Sequence, residues 1–161
     1  MPEPVRVVHY LNQVYAGIGR DEKTDLPAEV RERPIGPARL LNYLMGDRGN
    51  VVATIVCGDG YFQEWRDEVL ALLETVLRES QADLVVAGPA FDLESYGLAC
   101  GAVCLTAQDM SISAITAMTT DNPAVVGHAG QLRFVPTGPA PGDMMEIVSQ
   151  LCLIALDQTG K

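Results

Sequence analysis

Positive charge is scarce in this sequence. Its 161 residues carry 11 Lys and Arg against 21 Asp and Glu, a formal net charge of -10 at pH 7. With no basic cluster, nucleic acid and anionic membranes are poor partners. Histidine is nearly absent (His9 and His128), and the four cysteines, Cys57, Cys100, Cys104 and Cys152, form no C-x-x-C pair. A closed zinc site built by this chain alone is therefore not expected, and no metal is assigned. The G-x-S-x-G, H-E-x-x-H and P-loop signatures are missing. No run approaches the roughly 18 apolar residues of a membrane helix, and no basic leader precedes an apolar core. The expected location is the cytoplasm, where cysteines serve as free thiols, redox groups or ligands more often than as bridges.

What is present suffices for one compact α/β domain over residues 1–161, with 48% hydrophobic and 20% charged residues. Short β-branched apolar runs predict buried strands at Val5–His9, Val51–Cys57, Asp83–Gly88, Ser113–Thr119 and Leu132–Val135. Helical periodicity predicts helices at Ala38–Met45, Tyr61–Gln81 and Asp143–Asp157, and another starting near Tyr96-Gly97. Phe62, Trp65, Val69, Leu72, Leu73, Val76 and Leu77 form the expected core stripe of the second, and Ile147, Leu151, Ile154 and Ala155 that of the last. Residues 20–37, charged and broken by prolines at 27, 34 and 37, read as a long surface loop or lid. Strands alternating with helices imply a three-layer sandwich around a mostly parallel sheet, flavodoxin-like or Rossmann-like.

In such a sheet, ligand chemistry gathers where strand carboxyl ends meet helix N-termini. The strand ends deliver His9, Asn12 and Gln13, then Cys57 and Asp59, then Asp92, Ser95 and the helix bearing Cys100 and Cys104, and last Thr119, Asp121 and Asn122. Polar residues also collect at strand ends simply because loops do. Cys100, placed in the first turn of its helix, is expected to gain thiolate character from the macrodipole. Cys104 shares its helix face. An i,i+4 pair has Cβ atoms about 5–6 Å apart and a disulfide wants about 3.8 Å, so pairing of Cys100 with Cys57 is easier to picture. The alternative is that these thiols are small residues packed on the sheet, and Cys152 is read that way. His9 can be a base, a ligand or a satisfied strand-end residue. Ala16-Gly17-Ile18-Gly19 lacks the third glycine of a dinucleotide fingerprint.

Several blocks in order, HYLNQ at 9–13, AGIGRDEK at 16–23, PIGPARLL at 34–41, VATIVCGDGYF at 52–62 and DLVVAGPAFDLESYGLACGAVC at 83–104, resemble component B of glycine, sarcosine and betaine reductases. The likeness is to the N-terminal part of its larger, selenocysteine-containing subunit, and proline reductase has a related subunit. The resemblance implies a C–N-cleaving reductase, in which a companion subunit's pyruvoyl group engages the amine and selenol and thiol groups carry the reducing chemistry. It implies no cofactor held by this chain itself. His9, Asn12, Gln13, Cys57, Asp59, Cys100 and Cys104 become candidates to line a substrate or subunit cleft. The family's U-x-x-C-x-x-C motif belongs to a C-terminal region outside this sequence, so a second subunit is expected to supply it. Where relatives tend to have GIGGEE, this chain has Gly17-Ile18-Gly19-Arg20-Asp21-Glu22, and the likeness weakens after Asn122. Three functions stay open: a subunit of a reductase-like complex acting on an amine- or thiol-bearing small molecule; a thiol-dependent transferase or C–S/C–N bond enzyme using Cys57 or Cys100; and a non-catalytic scaffold.

Overall fold

A computed structural model describes residues 3–128 and 130–159. Val5–Leu11 (β1), Glu29–Arg31 (β2), Gly49–Val56 (β3), Leu84–Phe91 (β4), Ser113–Met118 (β5) and Phe134–Pro136 (β6) form one sheet in the order β2-β3-β1-β4-β5-β6. Every pairing is parallel except that of β2 with β3. Setting aside the short β2, the strands follow the flavodoxin-like order 2-1-3-4-5, which decides between the two expected arrangements.

The helices are Pro37–Met45 (α1), Asp59–Glu64 (α2), Arg66–Glu79 (α3), Glu94–Asp109 (α4), Pro123–Gly127 (α5) and Met144–Thr159 (α6). Strand alternation divides the core between two faces. Val8, Tyr10, Ile55, Val85 and Ala87 meet α2, α3 and α4, whereas Val5, Val7, Val51, Leu84 and Val86 meet α1 and α6. The chain leaves β1 toward β3 with α1 on one face, then passes from β4 to β5 with α4 on the other. The adjacent β1 and β4 are therefore the topological switch point, where the loops above the strands part.

Several expectations change. The predicted 61–81 helix is two, because Trp65 takes a non-helical backbone (φ -119, ψ 36) between α2 and α3. That break shifts the stripe, so Trp65 is not core; it is 44% exposed and stacks on Tyr61 at 6.1 Å. In α6 the buried stripe is Ile147, Val148, Leu151, Cys152, Ala155 and Leu156, and Ile154 points outward. Gly88-Pro89 does not end its strand: the pairing of β4 with β5 shifts between Ala87 and Phe91, forming an irregular bulge. The Gly88–Pro89 peptide is cis.

The 20–37 stretch is not a bare solvated loop. Asp21–Lys23 makes a single 3-10 turn, and β2 pairs with Thr54–Val56. Gly58 N donates to the Leu26 carbonyl at 2.9 Å, Tyr61 N to the Thr24 carbonyl at 2.9 Å, and Gly60 N to Thr24 Oγ1 at 2.9 Å. Gly58 is required for this approach, since a Cβ there would run into the Thr24 carbonyl.

Candidate functional site

β1 ends in Leu11, and the next two side chains, Asn12 and Gln13, turn into the crest and are buried. They build a small lattice with the first residue of α2. Asn12 Nδ2 donates to Asp59 Oδ2 at 3.0 Å, and Asn12 Oδ1 accepts from Tyr15 N at 3.0 Å. Gln13 Oε1 accepts from Asp59 N at 3.1 Å, and Gln13 Nε2 donates to the Arg20 carbonyl at 3.3 Å. These two amides lock the β1 loop to the β3–α2 turn. Asp59 Oδ1 is buried without a hydrogen-bond partner among the described residues. Burial raises the Asp59 pKa, and the Asn12 bond offsets this in part.

Below this lattice, Tyr10, Cys57, Tyr96 and Cys100 belong to the same buried cluster. Burial pushes the Cys57 thiol up to about 12, the Tyr10 hydroxyl opposing this in part and the Asp59 charge adding to it. Its Sγ donates to the Gly58 carbonyl at 3.4 Å, as a protonated thiol does. Cys100 is corrected more sharply. α4 starts at Glu94, which carries Cys100 past the first turn, where the macrodipole effect has faded. The side chain is fully buried, and that burial, with Cys104 nearby, drives its pKa well above the ordinary thiol value. Cys104, one turn on, is raised by burial alone. The expected thiolate at Cys100 is therefore not present at neutral pH.

His9 stands apart. In β1 it alternates with Tyr10 and is paired with Thr54 and Val86, so it faces the α1/α6 side, away from the thiols. Its Nε2–H donates to the Gly88 carbonyl at 2.6 Å, taking an acceptor in the β4 bulge. Burial lowers its pKa to about 4 despite that bond, and Nδ1 has no partner among the described residues. His9 is a neutral residue buttressing the bulge. The structure thus brings Asn12, Gln13 and Asp59 together above Cys57 and Cys100, and does not bring His9 to them. Ser95 accepts from Gln63 Nε2 at 3.1 Å, and Asn122 caps α5. Thr119, through its backbone N–H, donates to the Phe91 carbonyl at 2.9 Å. Cys152 lies in the core of the α1/α6 face, and the exposed Asp121 and His128 join neither group.

A cleft of about 420 Å³ opens between the β1 and β4 loops, lined by Tyr15, Arg20, Asp21, Asp92, Leu93 and Pro139 among others. Tyr15 is half-buried and stacks on Tyr96 at 5.8 Å, which ties the cleft wall to the buried cluster. Burial, then the charge of Asp92, raises the Tyr15 phenol. Sequence reasoning found Asp92 but missed Tyr15 and Arg20. Their signal was position alone, since both follow the carboxyl end of the strand next to the switch point. Among the described residues no group of three or more His, Cys, Asp or Glu side chains could hold a metal ion. Nor is any helix there long and apolar enough to cross a membrane.

The family model for glycine/sarcosine/betaine reductase selenoprotein B matches residues 4–160. The chain belongs to this family. It is 38% identical over 151 residues to the glycine reductase complex component B subunit gamma of Symbiobacterium thermophilum, and 35% identical over 153 residues to the sarcosine reductase complex component B subunit beta of Peptoclostridium acidaminophilum. The betaine reductase complex component B subunit beta of the latter organism is 28% identical over 151 residues. These alignments cover 93–94% of this chain but 34–35% of the relatives, so the chain spans about a third of their length. No solved structure matches.

Proposed function

We propose that this chain is the substrate-facing part of a glycine/betaine-reductase-like complex, acting on an amine- or thiol-bearing small molecule with the redox motif on a partner polypeptide. The observation that carries this reading is a contrast within one crest. An accessible cleft edged by Arg20, Asp21 and Asp92 opens at the switch point, while the thiols of the neighbouring buried cluster are protonated. A chain built this way can bind and orient a ligand but is a poor source of thiolate, so the reducing thiol or selenol has to come from elsewhere. Family membership supports a place in such a complex, because the named relatives are components of reductase complexes. In this reading Asn12 and Gln13, bonded to Asp59, fix the loop that forms the cleft wall. A partner's pyruvoyl group, implied by resemblance, would supply electrophilic activation of an amine. The buried thiols argue equally against a transferase that uses Cys57 or Cys100 as its resting nucleophile.

Affinity purification of the tagged chain from its native cell under anaerobic conditions tests this. A second polypeptide carrying a selenocysteine or C-x-x-C motif is expected, with reductant consumed on addition of glycine, sarcosine or betaine. Recovery of this chain alone, with no reductant consumption, sinks the proposal.

A further inference from the structure

We propose that the outer flank of α4 is a docking groove for an amphipathic helix of the polypeptide that carries the redox motif. This deepens the reading above and rests on it for the identity of the partner, but not for the surface. α4 runs from Glu94 to Asp109 and bears no charged side chain between those two ends. A helix of that composition belongs inside a fold, because a solvated helix turns charge outward. In the same layer α3 does so with Asp67, Glu68 and Arg78. α4 instead shows Leu98, 39% exposed, and the half-buried Leu105 and Thr106. The neighbouring α5 has only 5 residues and leaves much of this flank open. Leu98, Ala102 and Leu105, spaced i, i+4 and i+7, floor a groove of about 190 Å³. Arg66, at the start of α3, forms one wall, and Ala124 and His128 form the other.

Shape separates this surface from the other exposed apolar groups. Met145, Leu153 and Ile154 lie on the outward face of α6 among Glu146, Gln150 and Asp157, a convex and mixed surface. The α4 groove is concave, its floor is uncharged, and its charges sit at the ends. Gln63 of α2 bonds Ser95 at 3.1 Å, which sets Arg66 beside the first turns of α4, and Asp109 closes the far end. Arg66 stands over the Phe62 ring at 5.9 Å and closes no ion pair among the described residues. From Leu98 to Asp109 is roughly 16 Å, or three turns. A helix of that length complements the groove if it carries an apolar seam, an acid facing Arg66 and a base facing Asp109. Three observations select its source. The chain spans 35% of its relatives' length, so the family's remaining polypeptide is large enough to supply such a helix. The groove also opens toward the crest, because Leu93, 38% exposed, lines the cleft just before α4. A helix seated on α4 thus holds its polypeptide at the cleft mouth, where the reducing group is needed. A second copy of this chain would instead bring a net charge of -10 against its own like, which opposes self-association.

The test purifies the tagged chain with its partner from the native cell, anaerobically, and measures the copurified polypeptide by quantitative mass spectrometry. Leu98→Asp and Arg66→Glu should each cut recovery of the motif-bearing partner about tenfold or more, as loss of an anchor or reversal of a facing charge does. Leu153→Asp on α6, 68% exposed, should leave recovery within about twofold of wild type. Circular dichroism checks that each variant is folded, and the milder Leu98→Ala should show a smaller loss in the same direction. A second readout needs no loss of binding. A benzophenone label on Leu98→Cys should cross-link the partner on irradiation, and the same label on Leu153→Cys should not. The groove is overturned if the motif-bearing partner copurifies undiminished with Leu98→Asp and Arg66→Glu. It is equally overturned if the label at position 98 captures a second copy of this chain or a polypeptide without the motif. In either case the complex-subunit reading stands as long as the motif-bearing partner is recovered. Purification of the wild-type chain alone sinks both.

Discussion

His9 has one ring nitrogen satisfied and the other orphaned, and this sets a pH dependence. Its pKa falls from 6.5 in the unfolded chain to about 4 in the fold, mainly through burial, with the Gly88 bond opposing. Between those values the unfolded state binds the extra proton, so stability is fully present above pH 6.5 and is lost as pH falls through 4. The Asp59 carboxyl, raised by burial, acts with the opposite sign, its contribution fading as its proton leaves. A His9→Gln variant isolates the histidine, since the amide can still donate to the bulge. Denaturant unfolding at pH 7 and 4.5 should show wild type losing about 2 kcal/mol more than His9→Gln over that interval; parallel curves would refute the assignment. The thiols allow a second check. Cys57, Cys100 and Cys104 should resist iodoacetamide at pH 7.5 in the native protein, by mass spectrometry, and react promptly in denaturant. Fast native labelling of Cys57 or Cys100 would restore the nucleophile reading.

At the scale of elements, one amide ties the start of α4 to the start of α5. Asn122 Oδ1 accepts from Ala124 N at 2.9 Å, capping α5, and Nδ2 donates to the Leu93 carbonyl at 3.4 Å, just before α4. Gly97 leaves the space this side chain fills, and a Cβ there would strike Asn122 Nδ2. Asn122→Ala should cost about 1 kcal/mol, the usual loss at an N-cap. Gly97→Ala, despite its better helix propensity, should also destabilise by displacing the same amide. The double variant should lose less than the sum, because both changes act on one contact; strict additivity in urea melts would count against the coupling. The Asn122-Pro123 pair was a readable helix start, yet α5 is only 5 residues long and offers no periodicity. β2 was unreadable for a different reason: Glu29-Val30-Arg31 is extended because Thr54–Val56 pairs with it, not by its own preference. β1, β3, β4 and β5 were legible because buried parallel strands need continuous β-branched runs.

At the scale of the whole molecule, the crest was legible as the place where polar strand-end residues gather, and which of them meet there only partly so. Strand carboxyl ends pointed to the crest, but period-2 alternation already forbids His9 from sharing a face with Tyr10, a rule that would have separated it from the thiols. The thiols' protonation could not be read locally, since it depends on α4 starting at Glu94 and on the depth of packing beneath the crest. The anchoring of residues 20–26 was hidden as well, because it runs through backbone groups more than 30 residues apart in sequence, such as Gly58 N and the Leu26 carbonyl. That anchoring makes a prediction for amide hydrogen exchange. β1 and β4, each paired on both sides and covered on both faces, should exchange only through global opening. The edge β6 and short α5 should exchange faster by local opening. Gly58, Gly60 and Tyr61 amides, donating to Thr24 and Leu26, should fall between these, since their release needs the 20–26 segment to lift but not the sheet to part. If those three exchange as fast as α5, the 24–26 segment is a free lid; if they are protected, it is held against the β3–α2 turn.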